Sequence, residues 1–128
     1  MRVVHLSTYD ADGGAARAAF RTHEALLASG QQSAMLVRTK RSCCKSIKAV
    51  AAPGNADTFF GDLVQKHYID GNRTGVSTTF FSLGWPAEDL SCHPLVAHAD
   101  IIHLHWVSGL ISIGVSMQQR MPSSCCVR

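Results

Sequence analysis

Two adjacent glycines, Gly13 and Gly14, sit between an apolar run at residues 2–8 (RVVHLST) and a segment of helical periodicity at residues 15–29. Glycine has no Cβ, so its backbone N–H groups can approach a phosphate closely, and the start of a helix adds the positive end of its dipole. Arg17, one turn further on, can add its charge to the same anion. A tight strand-to-helix turn with no ligand explains the two glycines equally well. A dinucleotide fingerprint is absent, because GxGxxG needs glycines at other offsets and here AARAA follows the pair. The second apolar run leads to Arg38 and Lys40 rather than to the acid that would hold a ribose, so hydride transfer is not expected.

His103 and His105 are two apart in an apolar run, which places both side chains on one face of a strand. Such an HxH pair can bind zinc, with Cys92, His93 or the paired cysteines as further ligands. No spacing matches a structural zinc module, so the expectation is histidines packed beneath a site, with no metal and no cofactor. Trp106 follows at the end of the same run, where an aromatic face suits a sugar ring or simply packs in the core. Nucleophilic catalysis has little to support it: there is no GxSxG elbow, and the cysteines show no pairing pattern with histidine.

The elements that must position these residues follow from periodicity. Residues 2–8 read as a strand. Within residues 15–29, Ala16, Ala19, Phe20, His23 and Leu27 make one apolar face, with Asp12 as N-cap and Gly30 as the left-handed end. Residues 34–37 read as the next strand. Strand, glycine turn, helix and strand make a βαβ unit and predict an α/β fold with a parallel sheet. Further on, residues 46–52 read as a short strand and residues 56–69 as a helix with Phe59, Phe60, Leu63, Val64 and His67 near one face. A turn is expected at residues 70–72, a strand at 76–83, and a helical turn at 95–99 behind Pro94. Residues 100–107 read as a strand buried on both faces. Beyond Gly114 the pattern weakens, as if an open sheet stopped partway through its fold.

Composition sets the outer limits. The 128 residues are 46% hydrophobic and 16% charged, which excludes a disordered chain and corresponds to one domain. No apolar run reaches the roughly 18–20 residues of a membrane-spanning helix, and the start lacks a secretory signal pattern. The net charge of +3 is concentrated in Arg38, Lys40, Arg41, Lys45 and Lys48. That stretch suits a phosphate-bearing ligand, an anionic membrane surface, a nucleic acid or bare solvent. Five cysteines, an odd count with two adjacent pairs, give no disulfide framework and predict a reducing, cytoplasmic compartment.

The segments HLSTYDADGGAARAA and ADIIHLHWVSGLIS, with NRTGVSTTFFSLGW between them, resemble the beginning of family 4 glycosyltransferases of the colanic acid and surface-polysaccharide type. The likeness spans about residues 1–113; the tail at 114–128 does not share it. The resemblance implies an incomplete Rossmann-like parallel sheet, the N-terminal lobe of a two-lobed GT-B enzyme that retains anomeric configuration. It implies a nucleotide diphosphate sugar as donor and a glycan acceptor, often lipid-linked, with peripheral membrane contact and no nucleic-acid partner. Gly13 and Gly14 would then approach the donor diphosphate beside Arg17, and His105, Trp106 and Ser108 would line the acceptor space. The paired glutamates of the donor lobe are absent from this sequence, so the resemblance also implies that this chain is inactive by itself. A non-catalytic nucleotide- or phosphate-binding α/β module is the alternative.

Overall fold

The β-branched run at the N-terminus forms strand β1 (Arg2–Tyr9), one residue longer than expected at its end. The computed structural model describes residues 1–50, 56–77 and 90–111. Helix α1 (Gly13–Ala28) begins at the first glycine of the pair. It ends at Ser29, and Gly30 takes the left-handed conformation (φ +79°) that only glycine adopts without strain. Strands β2 (Gln32–Thr39) and β3 (Ile47–Ala49) follow, then α2 (Ala56–Asn72), the single helical turn α3 (Pro94–Ala97) and β4 (Ile101–Leu104).

All strand pairs are parallel, and the sheet order is β3-β2-β1-β4. The chain therefore builds outward from β1 through β2 to β3 and then returns to the other side of β1. The α/β class and the parallel sheet expected from the βαβ pattern are both present. Alternation along the inner strands divides the core between two faces. Val4, Leu6 and Leu36 pack with Leu90 and Leu110 on one side. On the other, Ala19 of α1 packs with Met35, Val37 and Ile47, and Phe20 lies against them half-buried. The expected face of α1 is thus largely right, although Leu27 remains exposed.

His23 occupies the buried face of α1 without cost in unpaired polar groups. Its Nδ1 meets Ser33 Oγ at 2.7 Å and its Nε2 meets Ser46 Oγ at 2.8 Å. The loop at residues 40–46 joins parallel strands without a helix, so it needs other support. Lys40 Nζ donates to Cys44 O at 2.8 Å, and Cys44 Sγ lies 3.1 Å from Ser46 Oγ. Ser46 thereby links Cys44 to His23, a connection that spacing alone did not reveal.

Four expectations need correction. β4 is exposed along its whole length instead of being buried on both faces. Among the described residues it is an edge strand of the sheet, paired with β1 alone. Residues 70–72 do not form a turn after α2 but continue it: Lys66 pairs with Asp70, and Asn72 Nδ2 donates to Tyr68 O at 2.8 Å. The apolar face of α2 does not enter the core, and Phe59, Phe60, Leu63 and Val64 are all exposed. Val76 lies in a turn closed by Ser77 N–H donating to Thr74 O at 3.0 Å, not at the start of a strand. The rest of that expected strand (78–83) and the tail (114–128) lie outside the described residues, and among the described ones no helix is long and apolar enough to cross a membrane.

Met35 is fully buried between α1 and the sheet. Met35→Ala is expected to lower unfolding free energy by roughly 2–5 kcal/mol through lost burial and a residual cavity. Urea denaturation followed by circular dichroism measures it; a loss below about 1 kcal/mol would contradict this packing.

Candidate functional site

The sheet order reverses between β1 and β4, and open α/β sheets bind ligands outside the carboxyl ends of the strands at such a point. β1 delivers Thr8, Asp10 and the glycine turn to this place, and β4 delivers His105, Trp106 and Ser108. The ladder between them continues past the end of β4: His105 N–H donates to Leu6 O at 3.0 Å and Thr8 N–H to Trp106 O at 2.6 Å. Thr8 Oγ1 lies 2.9 Å from Trp106 O and 2.7 Å from Ser108 O. One buried threonine therefore holds the loop that carries the expected acceptor-side residues.

On the β1 side, Gly13 has φ +83°, so a side chain there would be strained. Built Cβ atoms on Gly13 and Gly14 meet nothing within 4 Å, so the space before the turn is open. Asp12 occupies the N-cap position, but its side chain makes no capping bond, and the first turn of α1 holds no acid. The first N–H groups of the helix are consequently left without a side-chain cap. Arg17 is exposed and donates from Nε to Gly13 O at 3.3 Å, which draws it along the first turn.

The basic stretch is brought to the same end. Asp10 is almost fully buried and accepts from Arg41 N–H at 3.0 Å and Ser42 N–H at 2.8 Å. Asp12 pairs with Arg41 at 2.5 Å across the glycine turn. Burial pushes the Asp10 carboxyl up. Hydrogen bonds from Ser42 and Arg41 more than offset this and hold it below its ordinary 3.8. Arg38 reaches across the end of β1 to Gly109, whose φ is +67° and whose Cβ, if present, would sit 2.8 Å from Arg38 Nη1. Its guanidinium also pairs with Asp62 of α2. Spacing did not reveal Thr8, Asp10 or the Arg38–Gly109 approach, although polar residues ending an apolar strand are a signal of that kind.

Beneath the crevice, on the α1 side of the sheet, lies a group of imidazoles. His5 is fully buried, and its Nδ1 is 3.0 Å from His105 Nε2. The His103 and His105 rings are 4.1 Å apart between centroids, as expected for residues sharing a strand face. His5 pairs directly with His103 in the β1–β4 register, and its ring lies 5.9 Å from that of His23. Burial first, then the charges that His105, His103 and His23 would carry, bring His5 down from 6.5 to about 4. Burial lowers His23 as well, against an opposing pull from Glu24. A further concavity of about 430 Å³ opens at the amino-terminal ends of the strands, lined by Val3, Gln32, Ala34, Leu95 and His98. It is the wrong end of a parallel sheet for ligand binding, and none of the expected site residues reaches it.

Comparison of the chain with protein-family models, with curated proteins and with solved structures gave no match.

The imidazoles make stability depend on pH in a definite direction. In the unfolded chain they take up protons near 6.5, whereas folded His5 does so only near 4. The unfolded state therefore binds more protons as pH falls from 6.5 toward 4, and stability declines across that window, with no contribution above it. Asp10 acts at lower pH, its contribution persisting down through 3.8 and vanishing below its depressed value. Urea midpoints measured between pH 7 and 4 should fall, and His23→Gln should lessen the slope; a midpoint independent of pH would contradict neutral core imidazoles.

Proposed function

We propose that this chain is the acceptor-side part of a retaining glycosyltransferase that moves a hexose from a nucleotide diphosphate sugar to a glycan acceptor. One observation carries the reading. The Gly13–Gly14 turn and the 105–108 loop, singled out separately in the sequence, follow the carboxyl ends of the adjacent strands β1 and β4, where the strand order reverses. The order β3-β2-β1-β4 is also that of the first four strands of doubly wound nucleotide-binding sheets.

In this reading the amides of Gly13 and Gly14 and the start of α1 hold the diphosphate, and Arg17 adds a charge beside them. Their contribution to the reaction is electrostatic. Donors fixed where negative charge accumulates on the departing diphosphate stabilise the transition state without reorganising. Trp106, exposed at the crevice, offers a face to a sugar ring, while Thr8 keeps the carbonyls of Trp106 and Ser108 in place.

A non-catalytic phosphate-binding module is favoured by one specific feature. The carboxylates around this crevice are already engaged: Asp10 with residues 41 and 42, Asp12 with Arg41, and Asp62 with Arg38. None of them stands ready as an acid or base. Both readings require the anion site and neither expects sugar transfer by this chain alone; binding of a glycan acceptor beside Trp106, required only by the first, separates them.

Thermal unfolding of the full chain with UDP- and GDP-hexoses tests the shared requirement. At a ligand concentration 100 times Kd, stabilisation of about 2.7 kcal/mol is expected. Gly14→Asp should fold normally, since a carboxylate in the first turn of a helix is favourable, yet weaken nucleotide binding at least about tenfold by charge repulsion. Thermal midpoints unmoved by any nucleotide sugar would overturn the anion site and both readings with it.

A further inference from the structure

We propose that His5, His103 and His105 form a binding site for one divalent transition-metal ion of the zinc class. The inference goes beyond the glycosyltransferase reading and does not rest on it, since the two share only His105. One ring nitrogen from each histidine lies within 4.8 Å of the other two. An ion bound by imidazoles at about 2.0–2.1 Å in tetrahedral geometry needs nitrogens about 3.4 Å apart. The His5–His105 pair, at 3.0 Å, is already that close. Ring rotation about the broad terminal torsion of histidine closes the remainder, with no backbone movement.

The cluster is a product of register. His5 and His103 are direct partners across β1 and β4, and His105 follows two residues on along the same face. The backbone therefore holds all three donors on adjacent hydrogen-bonded strands, a rigid base for a metal site. Burial grades outward from fully buried His5 through half-buried His105 to exposed His103, which gives an ion a path from solvent and leaves a fourth position for water.

The His5 ring is tied to this cluster and to nothing else by hydrogen bonding. His23, the fourth imidazole of the group, has both ring nitrogens satisfied by serine hydroxyls. His5 Nδ1 meets His105, and among the described residues its buried Nε2 has no hydrogen-bond partner. The donor set also selects the ion. Three imidazoles and no carboxylate suit zinc, cobalt, nickel or copper, whereas magnesium and calcium require oxygen ligands.

Zinc titration of the metal-stripped full chain, by calorimetry and by equilibrium dialysis, tests the site. One zinc per folded chain is expected, with affinity reduced at least tenfold in His103→Gln and in His105→Gln. His98→Gln, and a variant with all five cysteines changed to serine, should bind as the unaltered chain does. Circular dichroism establishes that each variant is folded. Cobalt(II) added to the unaltered chain provides a measurement that needs no variant. Visible d–d bands without sulfur-to-cobalt charge transfer, and displaced imidazole resonances from three histidines, are the expected signature. Absence of zinc binding by the folded chain overturns the proposal. So does binding that survives both histidine substitutions, or that disappears with the cysteines.

Discussion

Strand β1 is hydrogen-bonded along both edges and buried on both faces, so each side chain it carries must find its partner inside the protein. Its apolar residues satisfy that demand by packing: Val4 and Leu6 join one core, and α1 covers the opposite face. Most of its polar groups reach neighbouring elements: His5 Nδ1 meets His105, Thr8 meets the carbonyls of the loop after β4, and Asp10, just past the strand, meets the N–H groups of the loop after β2. Ser7 Oγ and His5 Nε2 are buried without a hydrogen-bond partner among the described residues. A strand with solvent on one face would place no such requirement on its polar groups, because water would pair them.

Geometry at the carboxyl end of the sheet is a consequence. The loops after β2 and β4, distant in sequence, are both tied to the carboxyl end of β1, through Asp10 and Thr8, and the strand order reverses between β1 and β4. The start of α1 and Arg17, one turn on, face this end, and Arg38 lies against Gly109 with its charge paired to Asp62. Gly109 takes a left-handed backbone conformation that a side chain would strain.

The outer parts of the molecule obey different constraints. β4 pairs with β1 on one side only and presents Ile101, Ile102 and Leu104 to solvent, and α2 exposes its phenylalanines. Helix α2 is supported by its own backbone and by local pairs such as Lys66–Asp70, and Arg38–Asp62 links it to the crevice. Periodicity locates an apolar helix face correctly, but whether that face is covered depends on which element the chain folds against it.

The sequence by itself determined the α/β class, the parallel βαβ unit, the helix between Asp12 and Gly30, and the placement of His103 and His105 on one face. These follow from local rules: side-chain period, the conformational freedom of glycine, and the alternation of a strand. It also singled out Gly13, Gly14, Arg17, His105, Trp106 and Ser108 individually. Only the tertiary structure decided that the glycine turn and the 105–108 loop follow adjacent strands, that His5 is the third imidazole of a cluster, and that β4 lies at an edge. Each of those depends on strand order and register between segments about 100 residues apart. Local periodicity carries no information about which strands become neighbours; that is decided by the packing of the whole chain.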